Sequence, residues 1–288
     1  MTLTTGTAGP LLTPEQVESL LIKPVLAASV ALNPLCSRVL RPTASSVRLP
    51  SVTADPTAAW VAEGAEIPVS DLQTAEIDVV TKKVAGLTIV TSELAEDSNP
   101  EATAEVGRGL ARDIARKIDA AFFADGTANG GEQPDGLASL TIGAGSVQDI
   151  AAGTSPTNLD SFAQAQMLAA NVGAQLTSFV TNPATALVLA NMKEASGSGK
   201  PLLQPDPTQP SRRVIFGIPL LTSPEAPAGT VWGLPAERVV TAVRRDADVR
   251  SDRSVLFTSD RVAVRATCRV GFGFPHPAAL VRIRVAAS

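Results

Sequence analysis

The stretch Ala59–Asp97, AWVAEGAEIPVSDLQTAEIDVVTKKVAGLTIVTSELAED, constrains the fold of this chain more than any other. Within it, residues 74–80 alternate, with Ala75, Ile77 and Val79 on one side and Thr74, Glu76 and Asp78 on the other. A period of two with one polar face marks a half-exposed strand. Pro68, Ser70 and Asp71 supply turn residues, which predicts an antiparallel hairpin with an earlier strand near Ala58–Glu66. A further strand is expected over Ala85–Thr91, where Ala85, Leu87 and Ile89 alternate. The stretch lacks the constellation of groups that catalysis would need.

After Pro100 the periodicity changes. Val106, Leu110, Ile114, Ile118 and Phe122 recur every four residues and predict a helix with one slowly drifting apolar stripe. Arg108, Arg112 and Arg116 recur at the same interval, offset by two residues, or about 200° around the helix axis. They therefore lie opposite the stripe, either as a solvated face paired with Glu105 and Asp113 or as a surface that neutralises neighbouring chains or a polyanion. Asp125-Gly126 and the Gly-rich run to Gly136 end the helix.

The first fifty residues read as an arm. Thr13-Pro14-Glu15-Gln16 is a helix start, and Val17, Leu20 and Leu21 make a narrow stripe that Pro24 interrupts. Residues 33–57 are rich in Pro, Ser and Thr without a helical period. Residues 138–245 read as an α/β module. Helices are expected at Asn158–Val172 and Pro183–Glu194, with strands at Gln175–Thr181, Val214–Ile218, Leu220–Thr222 and Val231–Leu234. The chain then returns to strands at Val255–Thr258, Val262–Val270 and Ala279–Val285.

Composition excludes several roles. Aromatic residues make up 3% with no Tyr, and the net charge is −4, which argues against base stacking and against a strongly basic DNA-coating domain. Val25–Leu32 is the longest aliphatic run, far too short to span a bilayer. Cys36 and Cys268 lie too far apart to suggest a metal knuckle and read as buried thiols. His276 is the sole histidine and no Gly-x-Ser-x-Gly elbow occurs. Gly197-Ser198-Gly199-Lys200 fails as a phosphate loop because Glu194 and Pro201 stand at its required Gly and Ser/Thr positions. The run from Asp125 fails as a calcium loop because its twelfth position is Gly136. No catalytic, cofactor or metal site is expected.

Short motifs in a fixed order carry a family resemblance. They begin with Trp60-Val61-Ala62-Glu63-Gly64, Pro68, Lys82, Lys83 and Ser92-Glu93-Leu94 with Asp97. They continue through Ala111-Arg112, Ala115-Arg116-Lys117, Asp119-Ala120-Ala121-Phe122-Phe123, Gly126-Thr127 and Pro134-Asp135-Gly136-Leu137. Asn182-Pro183, Phe216-Gly217-Ile218-Pro219-Leu220, and Asp260-Arg261 with Arg269 complete the series. Spanning roughly Ala59 to Ala279, this series resembles the major capsid proteins of tailed bacteriophages, which have the Hong Kong 97-like fold.

The resemblance implies an α+β chain with an N-terminal arm (1–50) and an extended hairpin loop with its lead-in strand (51–97). A long spine helix of a peripheral domain (98–137), an α/β axial domain (138–245) and returning peripheral strands (246–288) would follow. The hairpin, carrying Trp60, Glu63, Pro68, Ser70, Asp71, Ile77, Val79, Lys82 and Lys83, would overlap a neighbouring subunit. The spine would carry Val106, Arg108, Leu110, Arg112, Ile114, Arg116, Ile118 and Phe122. Such a subunit is expected to form pentamers and hexamers of an icosahedral head around double-stranded DNA, within the virion, after assembly in the bacterial cytoplasm. No membrane, cofactor or enzymatic activity is implied.

Many family members carry a helical scaffolding extension before the arm. This chain shows none, and its opening at Met1 favours a separate scaffolding protein over a removed one. A portal is a further expected partner, with cement proteins left open. Some members cross-link by an isopeptide bond between a lysine and an asparagine, assisted by a glutamate. Glu76, Asp260 and Thr267 stand at those positions here, so no such bond is expected, with Lys82 and Lys83 as residual donors. An encapsulin-like nanocompartment shell around a cargo enzyme is the alternative within the fold. A cytoplasmic enzyme relying on His276 or a carboxylate pair is the alternative outside it.

Overall fold

A computed structural model describes residues 29–54, 58–62, 64, 66, 68, 69, 71, 73–91, 100–143, 145–153, 158–194, 199–203, 213–256 and 261–285. In chain order the first strands are β1 (Arg38–Leu40), β2 (Ser46–Ala54), β3 (Gln73–Val80) and β4 (Lys82–Thr91), followed by the 24-residue helix α1 (Pro100–Phe123). Next come β5 (Gln148–Gly153), α2 (Asp160–Asn171), β6 (Ser178–Thr181) and α3 (Pro183–Ala190). Three short strands follow: β7 (Arg213–Ile215), β8 (Ile218–Thr222) and β9 (Thr230–Leu234). The chain closes with β10 (Val240–Leu256), β11 (Arg261–Gly273) and β12 (Val281–Val285).

These strands form a four-stranded sheet in the order β1-β10-β11-β4, a six-stranded sheet in the order β5-β12-β9-β6-β8-β7, and a separate ribbon of β2 with β3. Helix α1 lies on the four-stranded sheet. Its Ile114, Ile118 and Phe122 are buried and Leu110 is half-buried. They meet Ala266, Cys268, Val270 and Phe272 of β11 in one apolar cluster, with Phe122 edge-on to Phe272 at 5.1 Å. Gly86 of β4 lets the helix come close, since a Cβ there would sit 2.8 Å from Leu110 Cδ1.

The six-stranded sheet separates two cores. Val180 and Trp232 face the α1 cluster, while their chain neighbours Phe179 and Val231 face the cluster formed with α2 and α3. There Phe162 of α2 packs edge-on to Phe179 at 5.1 Å. Asn182 caps α3, its side chain accepting from Ala184 N, with Pro183 in the first turn where no amide donor is needed.

Most of the expected elements appear within a few residues of their sequence positions. Three features differ. The partner of β3 is β2, with Val47 opposite Val79 and Leu49 opposite Ile77; the described residues of 58–66 form no strand. The expected arm therefore supplies β1 and most of β2, and the boundary at 50/51 falls inside a strand. Pro50 and the Ser/Thr content made β2 read as loop, but a two-stranded ribbon has free edges that tolerate a proline. Strand β10 is 17 residues long, where only Val255–Thr258 was expected. Its middle, RRDADVRSDR, has no apolar alternation to read, because beyond Ala242 it pairs only with β11. It crosses the expected 245/246 boundary, and β12 pairs with β5 and β9 in the six-stranded sheet. The expected helix near Thr13 lies outside the described residues.

Candidate assembly surface

The β2–β3 ribbon stands on the four-stranded sheet by a defined base. Thr81 donates through both its backbone N (3.0 Å) and its Oγ1 (2.9 Å) to Ser45 O, tying the feet of the two strands together. The ribbon's apolar face, with Val47, Leu49, Ile77 and Val79, turns towards β11 and is half-buried to buried. Gly271 and Gly273 make this seat. A Cβ at Gly271 would lie 2.6 Å from Val80 O, and one at Gly273 would lie 2.4 Å from Val79 Cγ2 and 2.9 Å from Leu49 Cδ1. Ser51 adds a hydrogen bond to Pro275 O.

The opposite face of the ribbon is polar. Arg48 pairs with Asp78 directly across the strands (3.0 Å) and with Glu76 (3.1 Å), all three exposed. Exposed ion pairs of this kind contribute little stability. Toward the far end of the ribbon, Trp60 and Val69 are almost wholly exposed, and Pro68 and Asp71 are exposed as well. Glu63 and Ser70 lie outside the described residues.

Strand β4 turns its apolar alternation outward. Val84, Gly86 and Thr88 face α1, so the apolar alternation of Ala85, Leu87 and Ile89 points away from the core. Leu87 is 64% and Ile89 50% exposed. Leu87 stands opposite Arg265 and Lys83 opposite Arg269, which adds a basic fringe to that face. Strand β4 is also a sheet edge, and an exposed edge with apolar side chains is a ready contact surface. Lys82 and Lys83 line a groove of about 340 Å³ between β4 and α1, together with Asp113, Lys117 and Glu132. Its lining mixes both signs of charge.

On α1, Arg108, Arg112 and Arg116 are exposed on the side away from the core, as their spacing predicts. The side chain of Val106 is outside the described set.

Sequence reasoning missed Asp119, which the fold buries to 4% exposure. Its carboxylate accepts from Ser29 Oγ (2.6 Å), Val30 N (3.1 Å), Ala31 N (3.1 Å) and Ser223 Oγ (3.1 Å). Asp119 lies four residues after Ala115 and three before Phe122, both buried, so helical spacing alone carried a signal that this acid faces inward.

Chemistry elsewhere is sparse. Asp125 accepts from Thr127 N (3.1 Å) and Thr127 Oγ1 (2.8 Å), and these hydrogen bonds hold its carboxyl below the ordinary value. It forms a turn at the end of the helix. Lys200, from the phosphate-loop-like run, pairs with Glu194 at 3.0 Å. Among the described residues no three His, Cys, Asp or Glu side chains gather as a metal site, and no helix is long and apolar enough to cross a membrane.

A small α/β layer, a sheet with a long helix on it and a protruding ribbon together define a shell-building subunit of the Hong Kong 97-like class. Residues 9–285 match the model of the phage capsid family, and the chain belongs to that family. No curated protein sequence matches it. Among solved structures it is similar to the "capsid of empty GTA particle computed with C5 symmetry", at 21% identity and a TM-score of 0.72, covering 100% of this chain and 94% of that one. It is also similar to a chain of Microbacterium phage Oxtober96 (20% identity, TM-score 0.71, 98% and 96% covered). A chain of Mycobacterium phage Bobi (18% identity, TM-score 0.71, 99% and 93% covered) is a third. The fold is the Hong Kong 97-like capsid fold, and the protein is a structural component of a phage capsid.

Proposed function

We propose that the chain is a major capsid protein that self-assembles as pentamers and hexamers into an icosahedral head around double-stranded DNA, and that it has no enzymatic role. The carrying observation is a pair of unsatisfied surfaces on one subunit. A ribbon reaches beyond its own fold with Trp60 and Val69 exposed, and β4 turns Leu87 and Ile89 to solvent. The base of the ribbon packs on its own β11, whereas Trp60 and Val69 at its far end have no such seat, and lying across a neighbour's apolar face would supply one. The ribbon's Glu76 and Asp78 suit the basic fringe of Lys83 and Arg265 beside Leu87.

In this reading residues 138–245 cluster around the symmetry axes and α1 spans the shell wall. The N-terminal segment extends over a neighbour, and a separate scaffolding protein and a portal take part in assembly in the bacterial cytoplasm. DNA is enclosed without sequence preference. Glu76 stands where a cross-linking lysine would be needed and is engaged with Arg48, which supports a noncovalent grip. Shortening Glu66–Leu72 tests the ribbon's part. Shell yield and stability are expected to fall while the subunit stays folded; unchanged yield and stability would contradict the overlap.

A further inference from the structure

Residues Ser29–Ser37 form a compact unit wedged between the two sheets and α1. Turns hold it together internally: Asn33 N donates to Val30 O (3.1 Å), and Cys36 N and Ser37 N both donate to Asn33 O (2.9 and 3.0 Å). Val30, Ala31, Leu32 and Cys36 are buried in the α1 core. Polar contacts reach both sheets. Thr241 of β10 donates from Oγ1 to Ala31 O at 3.0 Å, and Ser37 Oγ donates to the same oxygen at 2.6 Å. Thr177, just before β6, donates to Leu35 O at 2.7 Å, and Ser178 of β6 donates to Cys36 Sγ at 3.3 Å.

Asp119 closes this arrangement. Three of its four donors come from Ser29–Ala31, and the fourth, Ser223, follows β8 of the six-stranded sheet. A buried carboxylate is tolerated only while its hydrogen bonds are made. Withdrawing Ser29–Ala31 would strip three bonds at once and leave one, so a partly seated wedge is penalised against both end states. We propose that Asp119 is a latch which makes Ser29–Ser37 seat and leave the junction between the sheets as a single unit, with seating clamping the sheets to one another. The device belongs to the single subunit and stands independently of the shell reading.

Cys36 is a built-in reporter. Burial pushes its thiol up to about 12, against a weaker opposing hydrogen bond from Ser178, so it reacts only when the wedge is out. The test is hydrogen exchange of the unassembled full-length subunit, with Cys36 modification by an aromatic disulfide reagent mapped by mass spectrometry. Wild type is compared with Asp119→Asn and Ser29→Ala. The expected result is that exchange over residues 30–37 and Cys36 modification rise together, roughly ten- to hundredfold, while β11 exchange stays unchanged. The proposal is overturned if Val30 and Ala31 alone accelerate with Cys36 unaffected, if nothing changes, or if β11 accelerates equally. Should Asp119→Asn fail to fold, Ser29→Ala decides, because it leaves the carboxylate and α1 intact.

Discussion

Two inward-facing carboxylates show how far a single residue can be read. Asp119 lies on the buried face of a helix whose period is plain, so its burial follows from spacing. Its donors, 88 to 104 residues away in sequence, do not. Asp149 is less legible still. It sits on β5 opposite Arg282 of β12, bonding Arg282 Nε at 2.8 Å and Arg284 Nη2 at 2.7 Å. Burial works to raise this carboxyl, but hydrogen bonds and charge from the two guanidiniums outweigh it and hold it below the ordinary value. A carboxyl depressed in the fold contributes stability above its unfolded value, and that contribution is lost as pH falls through the lower native value. Asp149→Asn is therefore expected to lose about 1–2 kcal/mol at neutral pH, discounted for the half-exposed Arg284. The wild-type and variant denaturation midpoints should converge as pH falls through the lowered native value of Asp149. Equal midpoints at neutral pH would show that the pair contributes nothing.

At the scale of the element, legibility followed the strength of the apolar pattern. α1 was plain because five apolar positions recur at one interval, and its three arginines fell on the exposed side as expected. The strand of residues 74–80 was equally plain, but its partner was not. β2 carries Pro50 and polar residues, and the far end of the ribbon offered better-looking turn signals at 68–71. β4 was legible as a strand, but its sequence left open which side meets the core. Alternation reports which residues share a side, whereas the choice of core side fell to small residues that admit α1. That outward apolar face predicts a separation of folding from assembly. Leu87→Asp and Ile89→Asp should leave thermal stability nearly unchanged, within about 0.5 kcal/mol for exposed sites. Particle yield by sedimentation should drop sharply. Full assembly in both variants would remove β4 from the interface.

At the scale of the whole molecule, the order of segments was legible and their division was not. Boundaries drawn at composition changes fell inside β2 and β10, which are 9 and 17 residues long. The C-terminal strand β12 closes the six-stranded sheet between β5 and β9, a non-local pairing that no local pattern records. In the proposed shell, the protruding ribbon of one subunit meets the exposed β4 face of another, and the assembly closes by repetition. Electron microscopy of the purified full-length protein, imaged across assembly conditions and with particle contents analysed, tests this most directly. Closed icosahedral shells with five-fold vertices, enclosing DNA when recovered from infected cells, are the predicted result. Small monodisperse particles under every condition, or shells filled with a protein cargo, would contradict it.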